Sequence, residues 1–179
     1  MAITIDATVG GSSSNSFVTE VEQIAYMETR LNNSDWTTVS GSALTDDENK
    51  ALVESSRELS AEAWKGRRVT STQALSWPRD NVQNPDDPNL DYYDDTVIPQ
   101  RVKDATMELA FQYIKAGTTD VAALSSSRGI KRDKIETLEV EYFEHTGGEE
   151  GLQRYPRIWG WIAPLLAYPS GLTSPLVRG

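Results

Sequence analysis

The clearest pattern of apolar and polar positions lies between Ile98 and Gly117. There Val102, Ala105, Thr106, Leu109, Ala110, Tyr113 and Ile114 recur at the three-and-four spacing of one helical stripe. Such a stripe predicts an α-helix seated on a core. Pro99 suits the first turn, where its missing N–H has no intrahelical partner to lose. Gly117 follows the last apolar residue, where helices often close in a left-handed conformation. Gln100, Arg101, Lys103, Asp104, Glu108, Gln112 and Lys115 fall on the opposite face, which predicts a helix with one side wet.

Two more helices are marked by capping boxes, in which a threonine hydroxyl and a glutamate three residues on satisfy each other's orphaned backbone N–H groups. The first begins at Thr19 and Glu22, with Phe17 or Val18 as a hydrophobic staple. It carries Val21, Ile24, Ala25, Met27 and Leu31 on its apolar side and ends at Asn32 and Asn33. The second begins at Thr45 and Glu48. Ala51, Leu52, Ser55, Leu59 and Ala63 lead to Trp64, with Gly66 as the stop. Ser55, Ser56, Ser60 and Ala61 are small enough to admit another backbone. A turn-rich segment anchored by Trp36 joins the two helices.

Elsewhere the pattern changes. Residues 1 to about 14 alternate at Ile3, Ile5, Ala7 and Val9 before Gly10 and Gly11, which predicts a short strand or a flexible arm. The Pro-, Asn- and Asp-rich run from about 80 to 97 forbids a long regular element and reads as an acidic loop. Alternation at Leu138, Val140 and Tyr142 predicts a strand over Ile135–Phe143, or the second arm of a hairpin that turns near Arg132 to Glu136. Pro156 can open a short helix that runs to Leu166 and bends at Pro164, followed by a tail over about 167–179. The expected fold is mainly α: a single domain over 1–179, built as a small bundle of about four helices with a β-hairpin or extended arm.

Composition narrows the classes. A chain of 179 residues, 38% hydrophobic and 25% charged, can bury a core of its own. No apolar run approaches the roughly 18 residues that span a bilayer, so no membrane partner is expected. The start MAITIDATVGGSSSNS lacks the basic and apolar regions of a secretory signal, and there are no cysteines, which fits assembly in a reducing cytoplasm. The formal charge of −10 opposes attraction of the whole chain to nucleic-acid phosphate.

Catalytic and cofactor patterns are missing. The one histidine, His145, sits in a Gly- and Glu-rich stretch without a nucleophile elbow and reads as a solvated loop residue. Neither H-E-x-x-H, C-x-x-C, a P-loop nor G-x-G-x-x-G occurs, so no enzyme activity, metal or cofactor is expected. Asp86, Asp87, Asp91, Asp94 and Asp95 match no EF-hand spacing and read as a solvated acidic loop. The basic clusters are Arg67, Arg68 and Arg79, with Trp64 and Trp77 close by, and Lys131, Arg132 and Lys134. Bases mixed with aromatics are what a single-strand site uses, which makes Arg67, Arg68, Lys131, Arg132 and Lys134 candidate phosphate contacts. The opposing reading is that the tryptophans plug a core and the arginines pair with the acidic loop.

The chain resembles one phage protein family in the order of four motifs. They are SWPR at Ser76–Arg79, the Ile98-Pro99 helix start with V-x-x-A-x-x-E-L-A at Val102–Ala110, the strand IETLEVEYF at Ile135–Phe143, and YP before an apolar end at Tyr155–Leu166. Members are labelled DnaT-like single-stranded DNA-binding proteins and are similar to head-tail connector, or adaptor, proteins of tailed bacteriophages. The likeness covers about Asn15 to Leu166; the loop over 80–97 and the tail lie outside its motifs. It implies a non-catalytic virion protein of the neck, assembled in the host cytoplasm. The expected assembly is a dodecameric ring docked under the portal and joined to a tail or second neck protein, with double-stranded DNA passing through its lumen unbound. On this reading the apolar C-terminal residues Trp159, Trp161, Ile162, Leu165, Leu166, Leu172 and Leu176 supply portal or inter-subunit contacts. Single-stranded DNA binding is the alternative function.

Overall fold

The structure, a computed structural model, describes residues 3–87, 89, 91–117, 133–135, 138–140 and 151–167. Among these residues there are four α-helices and short antiparallel strands: α1 (Glu20–Thr29), α2 (Asp46–Ala61), β1 (Arg67–Arg68), β2 (Arg79–Asp80), α3 (Gln100–Ala116), β3 (Asp133–Ile135), β4 (Leu138–Val140) and α4 (Pro156–Ile162). A 3₁₀ turn over Gly151–Arg154 precedes α4, and another over Ala163–Leu165 follows it. The mainly α expectation is met, and β3 and β4 form a hairpin in the register Asp133↔Val140 and Ile135↔Leu138, although β3 occupies Asp133–Ile135, where the turn is expected, because cross-strand pairing extends one arm into that stretch. No described helix is long and apolar enough to cross a membrane.

Helix α3 is the axis. It packs against α2 and α4, and more lightly against α1. Val102, Ala105, Leu109 and Ala110 are fully buried, as the stripe requires. Met107, Glu108 and Phe111 are buried as well, so the face expected to be wet is covered over its middle turns. Elements on both sides explain the difference: α2 covers the predicted stripe, while α1 and α4 close over part of the other face. Pro99 caps the helix just outside its first residue. Gly117, at φ 66°, ends it by donating to the Tyr113 and Ile114 carbonyls.

Both capping boxes form. Helix α1 is nevertheless rotated from its expected seating. Gln23, Ile24 and Met27 face inward, while Val21 is 75% exposed; the helix ends at Thr29, short of the expected Asn32 and Asn33, which leaves Leu31 beyond it and 86% exposed. Two polar ties set that rotation: Lys103 Nζ donates to Glu22 Oε1 at 2.5 Å, and Arg30 reaches Glu108. Helix α2 buries Ser55 and Ser56 completely. Ser56 Oγ accepts the Phe17 N–H and Ser60 Oγ accepts the Ser76 N–H, so the small residues admit neighbouring backbone as expected.

The N-terminal segment is docked on its own chain, which corrects the expected flexible arm over 1–14 from Ile3 onward. Ile3 N–H donates to Asp46 Oδ1 and the Ile3 carbonyl accepts from Asn49 Nδ2. Asn15 bridges Thr4 and Asp6, and Ala74 N–H donates to the Gly11 carbonyl. Asn15 and Asn49 thus satisfy an irregular backbone that would otherwise fray.

Glu48 does more than close its own capping box. Oε1 accepts the N–H groups of Thr37 and Thr38 at 3.0 and 3.1 Å, while Oε2 accepts the Thr45 N–H at 2.8 Å and the Thr38 hydroxyl. Burial acts to raise its pKa. The Thr38 hydroxyl and then the Thr45 and Thr37 N–H groups outweigh it, so the carboxyl titrates below its ordinary value. Glu108 is held low in the same way, with burial opposed by Arg30, Tyr26 and Gln112. Depressed folded values mean that this stability is fully present above the ordinary glutamate value of about 4.3 and is lost as pH falls below it. Thermal midpoints measured between about pH 7 and 3 will therefore drop steeply in the acid limb. Glu48→Ala will cost about 2 kcal/mol at neutral pH by stranding the buried Thr38 N–H and hydroxyl, and will flatten that limb; a pH-independent midpoint contradicts this.

Candidate nucleic-acid interface

The chain leaves α2 at Ala61 and turns sharply at Gly66, short of the helix stop expected there. Gly66 has φ 68°, and a Cβ in its place would lie 2.1 Å from the Asp80 carbonyl oxygen, so only glycine lets the two backbones approach. Beyond it β1 pairs with β2, setting Arg67 opposite Asp80 and Arg68 opposite Arg79. Arg67 Nε and Nη2 both donate to Asp80 Oδ2, at 3.0 and 2.8 Å. Arg68 Nη1 donates to the Gln73 carbonyl at 3.4 Å. Their side chains stay at the surface, whereas Arg79 turns inward and caps the carbonyls of Lys65, Gly66 and Ser76 at 2.7, 2.8 and 3.2 Å. Burial, then the neighbouring Arg68 charge, lowers the Arg79 pKa.

The rest of the SWPR motif is equally internal. Trp77 is 1% exposed and precedes a cis peptide to Pro78. It packs edge-to-face with Trp64 at 5.6 Å and with Tyr93 at 6.3 Å between ring centroids. Trp64 Nε1 donates to the Leu59 carbonyl. Buried Gln73 ties the turn together by donating to the Leu75 and Pro78 carbonyls and accepting the Thr70 N–H. Neither tryptophan offers an open face on which a base could stack. Of Arg67, Arg68 and Arg79, the first two remain outward, and Arg67 is paired with Asp80. Lys134 lies in β3, in register with Glu139 of β4. Lys131, Arg132 and His145 lie outside the described residues.

In the acidic segment over 80–97, the described residues on either side are tied together by an isolated bridge and backbone hydrogen bonds. Val82 is buried, Gln83 bridges Tyr92, Tyr93 N–H donates to the Val82 carbonyl, and Asn84 N–H donates to that of Asp91. Arg101 holds Asp86 through Nε at 2.5 Å, and the Asp94 carboxylate accepts the Thr96 N–H. Among the described residues no group of three or more His, Cys, Asp or Glu side chains is placed to hold a metal ion.

At the C-terminal end, Pro156 opens α4 and Pro164 sits in the 3₁₀ turn, matching the predicted bend. Ile162, Leu165 and Leu166 are 0, 0 and 1% exposed, so these three are core residues of their own chain and are closed to a portal or a neighbour. They are buried because the turn folds back on α2's exit. Leu166 bridges Trp64, Lys65 N–H donates to the Leu165 carbonyl, and Ala167 N–H donates to that of Ala63. Trp159 and Trp161 stay half-buried at the rim of the core, with the Arg157 guanidinium 5.0 Å from the Trp161 ring centroid. Leu172 and Leu176 lie outside the described residues.

A second charged cluster went unread in the sequence. Glu108, 3% exposed, receives Arg30 Nη2 and Nε at 2.7 and 2.8 Å, Tyr26 Oη at 2.8 Å and Gln112 Nε2 at 2.9 Å, with Arg157 Nη1 at 3.8 Å. The Arg30 guanidinium also stacks 3.9 Å from the Phe111 ring centroid. Burial, then the Glu108 hydrogen bond, raises the Tyr26 pKa well above its ordinary range. The available signal was the off-stripe pair Met107 and Phe111, which shows a second covered face on α3 and so a buried Glu108 between them.

Comparison with known proteins gives one match along the whole chain: residues 1–179 fit the model of the family described as "Putative DnaT-like ssDNA binding protein". No curated protein and no solved structure matches.

The arginine geometry separates fastening from binding. Arg79→Ala will lower the urea-unfolding free energy by about 2 kcal/mol through uncapped carbonyls, whereas Arg67→Ala, at a side chain 78% exposed, will cost less than about 1 kcal/mol. The reverse order would contradict this assignment.

Proposed function

The chain belongs to this DnaT-like family, and from that premise we propose a structural role: a head-to-tail adaptor of a tailed-phage virion that docks as a ring under the portal. The observation that carries the reading is the internal use of the SWPR region. Trp64, Trp77 and Arg79, which could have made a single-strand platform, are consumed as core plugs and carbonyl caps. The surface of a chain with charge −10 then suits a wall that DNA slides past without being gripped. The order of the SWPR, Ile98-Pro99, IETLEVEYF and YP motifs supports the same role. Half-buried Trp159 and Trp161 remain as candidate contacts to the portal or a neighbour, since tryptophan at a rim is a common interface anchor.

A second reading, single-stranded DNA binding, is favoured by the family's description and by the outward Arg67 and Arg68. Titration of a fluorescent oligonucleotide at about 50 and 200 mM salt distinguishes the two. Phosphate binding loses orders of magnitude in affinity over that range, and the adaptor reading predicts no salt-dependent binding at all. Negative-stain images of the protein mixed with its cognate portal will show rings seated on the portal. A chain that ignores the portal and coats the oligonucleotide would reverse the choice.

A further inference from the structure

We propose that the outer face of α1 is a self-association surface that receives the Arg67–Val69 turn of a second copy. The assignment rests on the ring reading above for its occupant and gives that ring a contact. Val21 and Ala25 stand one helical turn apart on the solvent side of α1, and Glu28 continues the same stripe. Ser40 N–H donates to Glu28 Oε1 at 3.2 Å, which ties the backbone after Val39 to the end of this stripe, and Leu31 follows the helix end. Val21, Leu31 and Val39 are 75, 86 and 64% exposed, apolar positions that the described residues leave uncovered.

Charge selects the occupant. Glu20 and Glu28 flank the strip, the last turn of α1 contains no base, and Arg30 turns inward to Glu108. A complementary surface is apolar with bases around it. The turn after β1 has that composition: Val69 is 38% exposed beside the outward Arg67 and Arg68, with Lys65 two residues before Arg67. No described hydrogen bond or ion pair joins this turn to α1 within one chain. Arg67 is held by Asp80, and Arg68 reaches only the Gln73 carbonyl. Two different patches that complement each other make a heterologous contact, the kind that closes into a ring when its rotation allows.

Sedimentation equilibrium of the full chain tests the proposal, using Val21→Glu, Arg68→Glu and the pair Glu28→Arg with Arg68→Glu. These positions are exposed, Glu28→Arg alone, which gives up the Ser40 bond, is run as the control for the pair, and unchanged circular dichroism melts will show that the fold is intact. Wild-type self-association is expected to weaken from about 50 to 500 mM salt. Each single variant is expected to raise the dissociation constant about tenfold or more, and the charge-swapped pair to recover much of the loss. A monomeric wild type, or single variants that associate as the wild type does, overturns the proposal. Rings on the portal that persist in Val21→Glu overturn this contact and leave the adaptor role standing. Association through this face without portal binding upholds the contact and overturns the adaptor role.

Discussion

The carboxylate of Glu108 is the constraint on which the arrangement of helices depends. A charge buried in the middle of α3 must be matched where it lies, because an unpaired buried ion costs several kcal/mol. The matching groups come from elsewhere in the chain: Arg30 and Tyr26 from α1 and its C-cap, Arg157 from α4, and only Gln112 from α3 itself. Pairing with Glu108 therefore fixes where the C-terminal end of α1 lies, while Arg157 adds a longer, largely exposed contact from α4, whose seating comes from buried Ile158 and Ile162. The same tie leaves Val21 on the solvent side of α1, so a buried polar knot and an exposed apolar residue are two sides of one rotation.

Glu48 and Arg79 repeat the theme in irregular structure. Glu48 gathers the N–H groups of the segment before α2, and Arg79 gathers carbonyls after it. Loops without regular hydrogen bonding still have to satisfy their backbone, and a single forked side chain can serve several groups at once. The consequence reaches function. Arg30 and Arg79, drawn to a buried carboxylate and to backbone carbonyls, are unavailable for phosphate.

What could be read from the sequence was local. The capping boxes at Thr19 and Thr45, the left-handed stop at Gly117 and the proline entry at Pro156 each depend on neighbours within four residues, and each formed. Periodicity found α3 but described one face, because it cannot tell how many elements will pack around a helix. Pairings such as Arg30 with Glu108, separated by 78 positions, leave no trace in spacing. The same limit explains the arm at Ile3, which is held by Asp46 and Asn49, and the tail residues Ile162, Leu165 and Leu166, which are covered by contacts around Trp64. At the candidate interface, residue types were informative and directions were not: arginine beside tryptophan suits a single strand equally well as a core plug with its carbonyl cap.

The central claim is that Glu108 couples α1 to α3 through a charge pair no substitution on one side can spare. A double-mutant cycle with Arg30→Met and Glu108→Gln, read by urea unfolding, tests it most directly. The account predicts that the two losses are strongly non-additive, with a coupling of about 2 kcal/mol or more. Losses that simply add would contradict it.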